Sequence, residues 1–150
     1  MHSYGKCLHN TDEPPKAKGV SPNESKRKIL SKYKFYLSFE NAKVGDYVSE
    51  KVFDGILAGT LSIYWGAPSI HKLLPGDGAI LSAEGVEPEA LAETLKTLAA
   101  DEALYNKHFE WKRERSPTAM DRFQTIIDMT AYKFTALCRT CAMLAGGGEL

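Results

Sequence analysis

The run Asp46 to Lys51, DYVSEK, places a tyrosine, a carboxylate and an ammonium within six residues of one another. Asp46 is a candidate helix N-cap, because its side-chain oxygen can accept a backbone N–H two or three residues on. A helix starting there would carry Tyr47, Glu50 and Lys51 in its first turn. The start of a helix offers free N–H donors and the positive end of the peptide dipole, so an anion such as a diphosphate is favoured there. Lys51 would add a full charge. Glu50 can accept hydroxyl protons from a ribose or a sugar, and Tyr47 offers an apolar ring with a polar tip. Just upstream lie Glu40, Asn41 and the flexible Gly45. The same residues equally describe an ordinary solvated first turn, since an acid is favourable near any helix start. Spacing alone leaves both readings standing. Neither G-x-G-x-x-G nor a Walker sequence is present, so generic dinucleotide or nucleoside-triphosphate binding has no support.

The elements that must position these residues are legible on both sides. Phe35 to Phe39, FYLSF, has the aromatic content of a strand and is expected to be buried. Val48, Val52, Phe53, Ile56 and Leu57 recur at helical spacing until Gly59 provides a stop. Thr60 to Trp65, TLSIYW, is the next strand. A Gly66 to Pro68 turn and a short helical segment before Pro75 follow, then a weaker strand, Ala79 to Ser82. Glu87 and Pro88 open a helix with Leu91, Leu95 and Leu98 on one face, and Asp101 to Phe109 forms a second helical piece. Upstream, Gly5, Pro14, Pro15, Gly19 and Pro22 mark a loop, and a short helix is expected from Glu24 to Ser31. Alternation of strand and helix with short connections predicts an α/β fold, a Rossmann-like parallel sheet with helices on both faces that binds ligand at the carboxyl ends of its strands. The charged stretch KRERSP then leads into a long helical run, Thr118 to Ala145. Residues 1–112 are therefore read as the binding lobe, with 1–24 mostly loop, and 113–150 as a helical tail.

Bulk composition excludes several functions. The chain has 150 residues, and its 19 Lys and Arg balance 19 Asp and Glu, so no global field favours nucleic acid or an anionic membrane surface. Lys26, Arg27, Lys28, Lys32 and Lys34 surround Ile29 and Leu30 as the solvated face of a short helix does. No apolar stretch reaches the roughly 18 residues needed to span a bilayer, and the N-terminus lacks a signal-peptide core, so the chain reads as soluble, without membrane contact. His2, His9, His71 and His108 lack metal-ligand spacing, and no metal site is expected. Cys138 and Cys141 form a C-x-x-C that suits redox chemistry, half a zinc site or two separate disulfides; Cys7 has no evident partner. Asn23-Glu24-Ser25 is an N-glycosylation sequon, meaningful only in the secretory pathway. Phe35, Phe39, Trp65 and Trp111 are read as core aromatics in preference to a sugar-stacking platform.

YKFYLSFEN at Tyr33 to Asn41, followed by DYVSEK, resembles the signature of the α-1,3/1,4-fucosyltransferase family, glycosyltransferase family ten. The resemblance continues through LAGTLSIYWGAP at Leu57 to Pro68, back to SYGKCLHN at Ser3 to Asn10 and forward to YNKHFEW at Tyr105 to Trp111, about three quarters of the chain. It implies the C-terminal, donor-binding lobe of a GT-B enzyme that transfers L-fucose from GDP-fucose to a glycan hydroxyl, commonly of N-acetylglucosamine, with inversion. Lys51 is then expected on the pyrophosphate, Glu50 on the donor's sugar or ribose, and Asn41 and Tyr47 along the donor pocket. Glu50 and Lys51 are the catalytic candidates here. The base that deprotonates the acceptor belongs to an N-terminal lobe that should precede Ser3, as does an arginine that helps bind phosphate. The other reading that resemblance leaves is a truncated or degenerate lobe that binds a GDP-sugar or a partner chain without turnover. No cofactor is obligatory, and divalent-cation dependence is not implied either way. Family members work in the Golgi lumen behind a membrane anchor, and many carry a C-terminal C-x-x-C bonded to the other lobe. Ser49 stands where threonine is common, which keeps the hydroxyl.

Overall fold

A computed structural model of the chain describes residues 1–6, 8–16, 18–114 and 116–130. Cys7, Cys138 and Cys141, and the part of the expected tail helix beyond residue 130, lie outside the described residues.

The first helix, α1 (Pro22–Leu30), begins where Ser21 accepts the Glu24 N–H at 3.2 Å, with Pro22 at the first helical position. Proline is tolerated there because that N–H has no intrahelical partner. The start therefore precedes the expected one by two residues: Pro22 opens the helix rather than belonging to the loop. Strand β1 (Phe35–Phe39) coincides with the aromatic run. It is not a buried strand, however. Ser38 alone is buried within it, while Leu37 and Phe39 are 43% and 40% exposed, because β1 lies at the sheet edge and no described helix covers its outward half. Phe39 thus departs from the expected core aromatics, and Trp111 conforms to them.

Helix α2 (Glu50–Ala58) carries the anticipated apolar stripe, with Val52, Phe53 and Ile56 buried and Leu57 exposed, and it stops at Gly59, whose φ of 78° is left-handed. Only glycine takes that conformation without cost. Strand β2 (Leu61–Trp65), a 3-10 helix (Pro68–Leu73) and strand β3 (Ile80–Ser82) follow. Helices α3 (Pro88–Ala100) and α4 (Glu102–Lys107) come next, then one short turn, α5 (Trp111–Glu114), and α6 (Pro117–Thr130).

The three strands form one parallel sheet in the order β1-β2-β3, in register Phe35 with Leu61 and Ser62 with Ile80. Alternation along β2 divides the core in two. Tyr64 faces α2, the 3-10 helix and α6, in a cluster with Val52, Phe53, Ile56, Ile70, Trp111 and Phe123. Leu61 and Ile63 face the other way, against Ala83 and Leu98, with Leu91, Leu95, Tyr105 and Phe109 packed around them. Helices therefore cover both faces, and the tail helix enters the first cluster through Phe123, whose ring lies 6.2 Å from that of Phe53.

Close approach of α2 to β2 depends on Gly55. A β-carbon there would sit 2.0 Å from Ser62 Oγ, which itself donates to the Val52 carbonyl. Overpacking of this kind costs about 1–3 kcal/mol. Gly55→Ala is accordingly expected to lower the urea midpoint by that amount of stability with the m-value unchanged.

Candidate functional site

At the carboxyl end of β1 the chain turns away from the sheet, with the Glu40 N–H still held by the Trp65 carbonyl at 2.8 Å. The Glu40 side chain is fully buried. A carboxylate at that depth is costly unless it is paired and hydrogen-bonded, and Glu40 is both. Its Oε1 accepts the Ser49 N–H at 2.8 Å; its Oε2 accepts the Ser49 hydroxyl at 2.7 Å and the Lys51 ammonium at 3.2 Å. Lys51 Nζ also donates to Asn41 Oδ1 at 3.2 Å. The end of one strand and the start of the next helix are thereby joined through a single side chain. Glu40 is the residue of this junction that residue-type reasoning left without a role; its place directly before Asn41 at a strand end was the available signal.

The helix start differs from the expected one. Ser49, not Asp46, is the N-cap: it has extended backbone angles, and its Oγ lies 3.5 Å from the Lys51 N–H. Asp46 sits in the left-handed region at φ 63°, inside a turn closed by Tyr47 N–H to Val44 C=O. Tyr47 is consequently not in the first helical turn but on an exposed loop. Both Asp46 and Ser49 are good cap residues by type. Glu40, nine residues before Ser49 in the chain, decides between them by fixing the Ser49 N–H and hydroxyl.

Of the four expected site residues, the structure brings Lys51 and Asn41 into contact and leaves Tyr47 exposed nearby in the same loop. Glu50 points elsewhere, towards α1, where its Oε1 is 3.9 Å from Lys26 Nζ. Behind it, Asp54 is buried and paired with Lys26 at 2.9 Å and Arg27 at 3.6 Å. Burial of Lys26 acts against its charge, but contact with Asp54 and the nearby Tyr36 oxygen outweigh that, and its pKa is raised. Burial likewise raises the Tyr36 phenol, against the opposing pull of Lys26.

Beneath Glu40 the packing is tight. Tyr64 Oη accepts the Ala67 N–H at 3.0 Å, and burial raises its pKa. A β-carbon on Gly66 would lie 2.5 Å from that oxygen and 2.6 Å from Glu40 Cγ, so only glycine fits. Across the mouth of the site Lys43, in the loop after β1, bonds Glu84, in the loop after β3. Among the described residues no group of three or more His, Cys, Asp or Glu is placed to hold a metal ion. A helix start with its backbone donors, one ammonium and an amide at the carboxyl end of a parallel strand suits an anionic, hydroxyl-bearing ligand.

Comparison with known proteins bears on which ligand. The model of the family described as glycosyltransferase family 10 (fucosyltransferase), C-terminal part, matches residues 1–149. The chain is 41% identical over 121 residues to GDP-fucose protein O-fucosyltransferase 3 of Danio rerio, covering 79% of this chain and 26% of that protein. To the Homo sapiens protein of the same name it is 39% identical over 115 residues, covering 75% and 24%. The chain thus spans about a quarter of the length of these curated relatives. Among solved structures, an α1,3-fucosyltransferase with GDP-fucose superposes with a TM-score of 0.52 at 25% identity, covering 67% of this chain and 34% of that one. The same kind of enzyme with GDP gives 0.52 at 25% identity, covering 69% and 34%.

Two outcomes are expected in urea unfolding. Glu40→Gln costs about 3 kcal/mol, as breaking a buried pair does, and its effect combined with Lys51→Met is smaller than the sum of the two, because they share one interaction. Lys26 and Tyr36 bind protons more tightly when folded, so the stability they contribute is full below their ordinary values, 10.5 and 10.0, and is lost as pH rises through the folded ones. Tyr36→Phe should flatten that alkaline decline, because it removes the phenol and with it one of the groups that raises Lys26.

Proposed function

The chain belongs to glycosyltransferase family 10, the fucosyltransferases, and from that premise we propose that it is the donor-binding lobe of an inverting enzyme that transfers L-fucose from GDP-fucose. The observation that carries this reading is the junction of β1 and α2. Lys51 is held at the strand's carboxyl end by Glu40 and Asn41, beside the start of a helix. A diphosphate there meets backbone N–H donors and an ammonium whose position is already fixed. Among the described residues two of the three ammonium donors are engaged, which leaves the third for a phosphate oxygen.

Each residue then has a task. Lys51 binds the pyrophosphate and offsets the charge that accumulates on it as the bond from the anomeric carbon to the diphosphate oxygen breaks. Glu50, on the α1 side of the helix start, accepts hydrogen bonds from the ribose diol. Asn41 and Tyr47 border the donor along the loop. The acceptor oxygen attacks the anomeric carbon from the face opposite GDP, its proton going to a base in the lobe that the relatives carry beyond the quarter this chain spans. The relatives' name, protein O-fucosyltransferase, favours a protein hydroxyl as acceptor over the glycan hydroxyl expected from the signature. We place the enzyme in the Golgi lumen on the same family grounds. No helix among the described residues is long and apolar enough to cross a membrane.

Calorimetric titration with GDP tests the donor site. Wild type is expected to bind, and Lys51→Met to bind about 10- to 100-fold more weakly, the range of one charge-assisted phosphate contact. Equal affinity in a variant that melts as a folded protein would remove Lys51 from the pyrophosphate.

A further inference from the structure

Asp54 is a buried carboxylate in the middle of α2, one helical turn beyond Glu50. Such a group needs a counter-charge, and one cation would serve, yet α1 supplies two. Arg27 stays with Asp54, its Nε 3.6 Å from Oδ1. Lys26 does more: its Nζ is 2.9 Å from Asp54 Oδ2, 5.8 Å above the Tyr36 ring and 3.9 Å from Glu50 Oε1. Glu50 and Asp54, four residues apart on one helix face, thus share a single ammonium.

We propose that Lys26 is a positioning residue of the donor site, tethered by Asp54 so that it holds the Glu50 carboxylate on the α1 side of the helix start, ready to accept the ribose diol. The proposal rests on the donor-site reading above. An isolated exposed pair at this separation contributes little, because two long side chains must be ordered to make it. Here one of the two is ordered beforehand: Lys26 is fixed by a buried acid and by an aromatic face, whether or not Glu50 is present. The Glu50 side chain is 57% exposed and otherwise solvated, so its orientation depends on that neighbour. Fixing a ligand-binding side chain in advance lowers the ordering cost that falls on the ligand.

The test pairs a substitution with a change in the ligand. Lys26→Met keeps the apolar stem and leaves Arg27 to Asp54. It is expected to weaken GDP about fivefold, to leave 2′,3′-dideoxy-GDP unaffected, and to be restored by Lys26→Arg. Unchanged GDP affinity overturns the proposal, and so does an equal loss with both nucleotides, which would mark a structural role. If Lys26→Met does not fold, the 13Cε signal of Lys26 in wild type must move with GDP and stay with the dideoxy nucleotide; the same response to both overturns it. Failure of wild type to bind GDP defeats the donor-site reading and this inference together, whereas the other contrary outcomes defeat this inference alone.

Discussion

Everything at the candidate site depends on one buried carboxylate. Glu40 leaves the sheet at the end of β1, and its two oxygens take the Ser49 N–H, the Ser49 hydroxyl and the Lys51 ammonium. Burying a charge is affordable only with that many donors in place. The cost of Glu40 therefore constrains the loop 40–49, the cap of α2 and the pose of Lys51 together. It also dictates what lies beneath: Gly66 has no room for a side chain, and Tyr64 braces the turn after β2 through the Ala67 N–H.

The same interaction shapes the electrostatics. Lys51 is a cation already partnered by Glu40, so the site is not a bare positive patch. An anion gains there chiefly from groups fixed in advance, namely the helix N–H donors and a lysine that needs no ordering, more than from net charge. On the other side of the helix start the pattern repeats with different residues. Asp54 is buried, and Lys26 and Arg27 of α1 compensate it. Two buried acids thus fix two lysines on opposite flanks of one helix N-terminus, one beside the strand end and one beside Glu50.

Much of this was legible from the residues. FYLSF read as a strand, Gly59 as a helix stop, and Pro88 as a helix start, because each rests on local chemistry that the fold does not override. Asn41 and Lys51, candidates from the signature around them, come into contact at the strand end. What escaped depends on partners distant in sequence. Asp46 and Ser49 are equivalent caps until Glu40 selects Ser49. The apolar content of β1 suggests burial, but Leu37 and Phe39 are exposed because β1 is an edge strand, and strand order is not a local property. Glu50 and Lys51 are adjacent, yet successive helix positions diverge by about 100°, so one side chain meets Lys26 of α1 and the other Glu40. Lys26 looked like part of a solvated basic face; only tertiary packing discloses the buried acid beneath it.

If the nucleotide binds at the β1–α2 junction, a 15N–1H correlation spectrum recorded during GDP titration will register it there. The largest shift changes are then expected on the amides of Asn41, Tyr47, Glu50, Lys51 and Val52, with α3 and α4 little affected. Changes concentrated on α3 and α4, with the junction unmoved, would contradict it.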